Sequence, residues 1–221
     1  MTKWKELLVM LLVLVLVPTS VFAQRSNYCW VAYGGGYWEP WLAGAGATAW
    51  QKGSNITLYI VSPPGNGFTF GQTSDIETGL LNWSQSLGTN LSITNSVVAS
   101  APASFPAQYI LVQFGDTSAC GAGAAACTSF SYNTTTGYPT NSTINVNTSV
   151  GTNPIGPLMA HEMGHTYIIA DCPDSVDCNS SLTIMDPDEI TESSPTSPQC
   201  CDADLVYAIT PTDPQGAYCG G

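Results

Sequence analysis

The feature that most constrains this chain is a pair of histidines, because the 221-residue sequence contains no others. His161 and His165 lie four residues apart, so a helix through them brings both imidazoles to one face with Glu162 beside them. Two imidazole nitrogens suit a Zn²⁺ site, and the adjacent carboxylate is placed to act as a general base towards water at the metal. The segment therefore predicts a metal-binding helix from Pro157 to about Tyr167.

A third ligand must be a carboxylate or a thiolate, since no further histidine exists. Asp171 follows His165 by six residues. This register resembles the metzincin pattern His-Glu-x-x-His-x-x-Gly-x-x-His/Asp in its aspartate variant, the snapalysin type. Ile168 stands where that pattern has glycine, and a β-branched residue disfavours a positive φ. The alternative third ligands are Glu189 and Glu192, in the manner of glutamate zincins.

A second resemblance lies downstream. The segment Thr183-Ile-Met-Asp-Pro187 is similar to the Met-turn of matrixin-like metzincins, which implies that Met185 forms an apolar floor beneath the zinc. The family implies an α+β, zincin-like fold: a twisted mixed β-sheet with an active-site helix and a smaller C-terminal subdomain containing a helix. The segment 201–209 is similar to that C-terminal helix.

The resemblance implies a zinc metalloendopeptidase with Glu162 as general base, polypeptides as substrates and a monomeric state. Tyr167 and Tyr207 are candidates for stabilising the oxyanion, although a packing role is the simpler interpretation of each. The alternative function is a non-catalytic zincin-like binding module that uses its Tyr, Trp and Asn surface. The intact Glu162 argues against that alternative, because a binding module needs no base.

The first 23 residues are typical of a secretory signal peptide. Lys3 and Lys5 precede an apolar run from Leu7 to Val17, which is too short to span a bilayer, and Ala23 offers a cleavage site. The sequence thus predicts a secreted protein. Its organisation is a Gly/Trp/Tyr-rich segment over 24–55 and one metallopeptidase-like domain over 56–221.

The formal net charge of −12 limits the partners. Beyond the leader only Arg25 and Lys52 are basic, so nucleic acid and anionic membrane are not expected as partners. Acidic side chains cluster after the predicted metal-binding helix. A Ca²⁺ site there is an alternative to a solvated acidic loop, since hard cations take clustered carboxylates. The cluster comprises Asp171, Asp174, Asp177, Asp186, Asp188, Glu189 and Glu192.

Eight cysteines in a secreted chain indicate a disulfide framework. Cys120 and Cys127 bracket a Gly/Ala loop and are expected to pair. Cys172 and Cys178 are expected to staple the loop between Asp171 and Met185. The other four would tie down the termini: Cys29, Cys200, Cys201 and Cys219.

Alternating β-rich runs predict four strands, and helical spacing predicts one further helix with Thr73 or Ser74 as its cap. The predicted strands are Ile56–Val61, Leu91–Val98, Ala107–Phe114 and Ser142–Asn147, and the helix is Asp75–Leu87. The Gly/Ala/Ser-rich stretch through Cys120 and Cys127 is predicted to be a loop. The strand containing Ile144, Asn145 and Val146 is predicted to be the sheet edge that pairs with an extended substrate.

Overall fold

The computed structural model describes residues 49–86, 89–167, 169, 171, 184–185, 190, 194, 196–198 and 202. Several predictions lie outside these residues: the leader, most of the N-terminal segment, and the C-terminal helix apart from Asp202. The same holds for Ile168, the Cys172–Cys178 bridge, Tyr207, Cys29, Cys200, Cys201, Cys219, Glu189 and Glu192, and for the acidic cluster apart from Asp171.

Five strands and two α-helices form the described part, which confirms the α+β class. The strands lie in one sheet in the order β2-β1-β3-β5-β4, with every neighbouring pair parallel except β4 and β5. Neither helix of the described part is long and apolar enough to cross a membrane. The elements are β1 Asn55–Val61, α1 Phe70–Ser86, β2 Ser92–Val98, β3 Tyr109–Phe114, β4 Ala126–Tyr132, β5 Pro139–Val146 and α2 Gly156–Thr166.

The core forms where alternate strand residues meet the two helices. In β1 every second side chain is buried, as the period of two requires. The inner strands β3 and β5 add further buried aliphatic residues, and α1 adds a fully buried tryptophan, Trp83. The strand residues of this core are Ile56, Leu58, Ile60, Ile110, Val112, Ala126, Ile144 and Val146.

Helix α1 begins five residues earlier than predicted, because its cap is a different residue. Thr69 Oγ1 accepts a hydrogen bond from Gln72 N (3.2 Å), and Gln72 Oε1 accepts one from Thr69 N (3.0 Å). This reciprocal pair is a capping box. The prediction of Thr73 or Ser74 as the cap was wrong, since Thr73 Oγ1 instead donates to Thr69 O within the first turn.

Helix α2 packs directly on α1 and is enclosed by the fold. All eleven of its residues are buried. Its first turn is fixed by Asp75 of α1, whose Oδ2 accepts from Ile155 N at 2.9 Å. Close packing of the helices depends on Gly79, where an added Cβ would lie 3.3 Å from the Met159 carbonyl oxygen. The helix starts at Gly156, one residue before the predicted start.

Strand β4 was not predicted, and its presence overturns the predicted sheet edge. Residues 126–132 pair antiparallel with β5, while β5 also pairs with β3. The backbone groups of Ile144, Asn145 and Val146 are therefore shared with two neighbours, and these residues cannot accept a further strand. Within the described part of the chain, β4 is the edge strand on that side of the sheet.

The predicted disulfide between Cys120 and Cys127 is confirmed. It closes the small-residue loop that leads into β4. Hydrogen bonds also anchor the loop: Thr117 Oγ1 donates to Ala124 O (2.8 Å), and Asn147 N donates to Ala125 O (2.8 Å). The start of β4 is consequently tied both covalently and by its backbone.

Candidate metal centre

The two histidines of α2 are buried and face the same side of the helix. His161 is 3% exposed and His165 6% exposed. Their rings meet edge to face, with centroids 4.8 Å apart. The four-residue spacing therefore produces the shared face that the sequence predicted.

A backbone carbonyl fixes each imidazole through its Nδ1 atom. His161 Nδ1 lies 2.8 Å from Ile184 O, and His165 Nδ1 lies 2.7 Å from Ile169 O. A carbonyl oxygen can only accept, so this hydrogen-bond assignment puts a proton on each Nδ1. In the neutral imidazole the Nε2 atom then carries the lone pair that a metal ion requires.

Asp171 completes the group from the chain that follows α2. Its Oδ1 lies 3.0 Å from His161 Nε2 and 3.2 Å from His165 Nε2, and its side chain is half exposed. The helix ends in a tight turn in which Tyr167 N and Ile169 N both donate to Gly164 O. This turn directs the chain back towards the histidines.

The charges in this group shift two pKa values in opposite directions. Burial works to raise the pKa of Asp171, but hydrogen bonds from the two histidines hold it well below its usual range. Burial works to lower the pKa of His165, but the hydrogen bond to Asp171 and the negative charge of Glu162 raise it overall. The site therefore favours an ionised Asp171 carboxylate.

His161, His165 and Asp171 form a group that could hold a metal ion, with all of its ligand atoms within 4.8 Å of one another. Two ligand atoms bound to a tetrahedral zinc ion at 2.0–2.1 Å lie about 3.3 Å apart. The two spacings that involve Asp171 Oδ1, 3.0 and 3.2 Å, are close to that value. With both Nε2 atoms unprotonated, three electron-rich atoms would face one another, an arrangement that a cation stabilises.

Glu162 lies beside the group, on the same helix. Its side chain is 4% exposed, and its Oε2 accepts a hydrogen bond of 2.5 Å from Thr128 Oγ1 on β4. Among the described residues Oε1 has no hydrogen-bond donor. A buried carboxylate with one oxygen held by a hydrogen bond can present its other oxygen to accept a proton.

The group opens into a cleft of about 600 Å³. One wall is the disulfide-closed loop 120–126, in which no side chain between the two cysteines is larger than a methyl group. The other wall is mostly apolar and includes Ile155, Pro157 and Leu158. Glu162 and the three candidate ligands also line this cleft, so a ligand in the cleft has direct access to them.

Met185 is fully buried against α2, beneath the histidine-bearing turn. A Cβ added at Gly164 would collide with Met185 Sδ and would lie 2.8 Å from Trp83 Cζ2. The glycine thus leaves the space that Met185 fills. Next to it, Ile184 N donates to the buried Asp202 carboxylate at 3.1 Å, while Ile184 O accepts from His161.

Tyr167 does not line this cleft. It is 2% exposed and stacks on Trp83, and its hydroxyl lies 3.4 Å from Thr89 Oγ1. The structure therefore supports a packing role for Tyr167, the simpler of the two interpretations of the sequence, rather than stabilisation of the oxyanion.

Two residues of the site were missed from the sequence. Thr128 had a detectable signal, because Thr-Ser-Phe-Ser-Tyr over 128–132 alternates as a strand does. Asp202 had none, since its contact with Ile184 depends on the tertiary fold.

Comparison of the sequence with protein-family models finds no match, and comparison with curated proteins finds none either.

Proposed function

We propose that this protein is a secreted zinc-dependent endopeptidase with a zincin-like fold, in which His161, His165 and Asp171 hold the metal. The observation that carries the proposal is the convergence of three ligand atoms beside a buried glutamate, at the base of an open cleft. Two imidazoles and one carboxylate form a donor set typical of catalytic zinc. The predicted leader and the disulfide both support an extracellular location.

When bound, such an ion polarises the carbonyl group of the substrate and makes water easier to deprotonate. Glu162 then takes a proton from the attacking water at Oε1 and returns it to the nitrogen of the leaving amine. The C–N bond breaks, and the products are a carboxylate and an amine. Hydrogen bonds from Nδ1 to backbone carbonyls keep both histidines oriented throughout.

Strand β4 is suited to bind the substrate backbone. It pairs only with β5 in the described part of the chain, Ala126 lines the cleft, and Thr128 contacts Glu162. An extended polypeptide added to this edge would form main-chain hydrogen bonds and pass the candidate metal group. This mode of binding favours peptide substrates over small molecules.

The test is hydrolysis of a panel of fluorescence-quenched peptides by the mature protein, with and without a zinc chelator. We expect hydrolysis that the chelator abolishes and added zinc restores. Glu162→Gln should lower the rate by about 10²–10⁴-fold, because it removes the base but keeps the side-chain shape. Its zinc content should stay the same.

The matched control is Glu77→Gln on α1, which makes the same chemical change outside the cleft and should keep wild-type activity. Hydrolysis that persists in Glu162→Gln would contradict the mechanism. Bound zinc without hydrolysis of any peptide would instead favour the non-catalytic binding module.

A further inference from the structure

Thr128 contacts the proposed catalytic base from a different element of the fold. It is 5% exposed and lies on the edge strand β4, whereas Glu162 lies on α2. Thr128 Oγ1 is 2.5 Å from Glu162 Oε2 and 3.4 Å from Glu162 O. A hydroxyl has one proton to donate, so the closer carboxylate oxygen is its main acceptor.

We infer that Thr128 is a positioning residue that holds the Glu162 carboxylate in the orientation needed for proton transfer. This inference rests on the proposed function. A free glutamate side chain has three torsions, and fixing it costs rotamer entropy. A hydrogen bond from a strand that is itself anchored supplies this restraint before the substrate arrives. With Oε2 held, Oε1 is left to exchange the proton.

The backbone around Thr128 is itself anchored. Its neighbour Cys127 is bonded to Cys120, and Thr128 pairs with Ile144 of the inner strand β5. The disulfide and the β-ladder therefore fix the hydroxyl relative to the sheet. Because β4 is also the proposed strand for substrate pairing, one strand would set the positions of both the substrate and the base.

The principal experiment compares Thr128→Val with Thr128→Ser on a quenched peptide. Valine keeps the shape but removes the hydroxyl, and serine keeps the hydroxyl but removes the methyl group. We expect Thr128→Val to lower kcat by about 10–100-fold, as misplacement of a reacting group does, with KM changed less than about twofold. Thr128→Ser should restore kcat to within about threefold of wild type.

A readout independent of turnover is the melting temperature in a double-mutant cycle. Thr128→Val should lower the melting temperature in the wild-type background but have a smaller effect in a Glu162→Ala background, where its partner is absent. Zinc content should stay constant through the series. Thr143→Val on β5 is the matched control and should leave both kcat and zinc content unchanged.

Wild-type kcat in Thr128→Val would overturn the inference, and so would equal losses in the valine and serine variants, because the serine variant retains the hydroxyl on which the inference rests. If Thr128→Val does not fold, the serine variant and Thr128→Ala decide in the same way: serine must retain kcat and alanine must lose it. Hydrolysis by wild type that Glu162→Gln abolishes, together with an unaffected Thr128→Val, would refute only the role of Thr128. Absence of hydrolysis by wild type would refute the proposed function itself.

Discussion

Helices α1 and α2 pack against each other, but the buried polar side chains of the two helices have different hydrogen-bond partners. On α1, Gln72 Nε2 donates to the carbonyls of Gly151 and Asn153, at 3.0 and 2.9 Å. Its oxygen is also used, by the capping box. On α2, by contrast, each histidine contacts a backbone carbonyl through Nδ1 and directs Nε2 towards Asp171.

The difference distinguishes a polar group that stabilises the fold, Gln72, from polar groups that we assign to the metal site, His161 and His165. Buried polar atoms are normally paired, and those of Gln72 follow that rule completely. On α2 the remaining ring nitrogens meet a carboxylate in an open cleft, as a group that could hold a metal ion. We therefore expect substitutions on α1 to change stability alone, and substitutions at the α2 site to change metal binding.

The largest effect is expected for His165→Ala. The substitution removes one of three ligand atoms, so we expect zinc affinity to fall by more than about 100-fold, the upper end of the range for outer-shell changes. Hydrolysis should fall to background. Competition with a chromophoric chelator measures the affinity, and unchanged affinity would refute the assigned ligand set.

Gln72→Ala tests the structural role of the polar group on α1. It removes hydrogen bonds to three backbone groups, the carbonyls of Gly151 and Asn153 and the Thr69 N–H, so we expect it to lower the free energy of unfolding by about 2 kcal/mol. Zinc content and kcat should stay the same in the folded fraction. Urea denaturation gives the stability. A loss of zinc would show that the two helices are not functionally distinct.

Asp202→Asn tests a residue outside the ligand group whose carboxylate accepts a hydrogen bond from Ile184 N. Asparagine keeps the volume but replaces a charge-assisted acceptor, so the Ile184 carbonyl should hold His161 less firmly. We expect zinc affinity to fall by about 10-fold, as for other outer-shell changes. An unchanged affinity would mean that the turn at Ile184 is held by other contacts.

The smallest effect is expected for Gly164→Ala, at the contact between the two helices. The added methyl group meets Met185 and Trp83, and overpacking of this kind costs about 1–3 kcal/mol. Alanine regains about 1 kcal/mol of helix propensity. The net loss of about 1 kcal/mol should appear as a lower melting temperature, and a higher one would contradict the packing described for Met185.

Local sequence patterns predicted much of the fold. The alternation in β1 and β3, the helical spacing of His161 and His165, and the Cys120–Cys127 bridge all depend on residues close in sequence. Strand β4 was missed because the Gly/Ala run before it is typical of a loop, although the residues from Thr128 to Tyr132 alternate. The cap was predicted wrongly because Thr73 and Ser74 immediately precede the apolar helical spacing, whereas the Thr69–Gln72 capping box starts the helix earlier.

Relations between distant segments could not be predicted from local patterns. The position of β5 inside the sheet follows from the return of β4 beside it, and neither run of residues indicates which strand is at the edge. The contact from Thr128 to Glu162 spans 34 residues, and the contact from Asp202 to Ile184 spans 18. Such contacts are set by tertiary packing rather than by spacing.

We propose that Asp171 joins the two histidines as a metal ligand, and zinc per mole of purified mature protein tests this role most directly. Wild type should be measured beside Asp171→Ala and beside Asp116→Ala, which removes an exposed carboxylate outside the group. We predict one zinc in wild type and in Asp116→Ala, and markedly less in Asp171→Ala. One zinc in all three proteins would contradict the account and transfer the third ligand to Glu189 or Glu192.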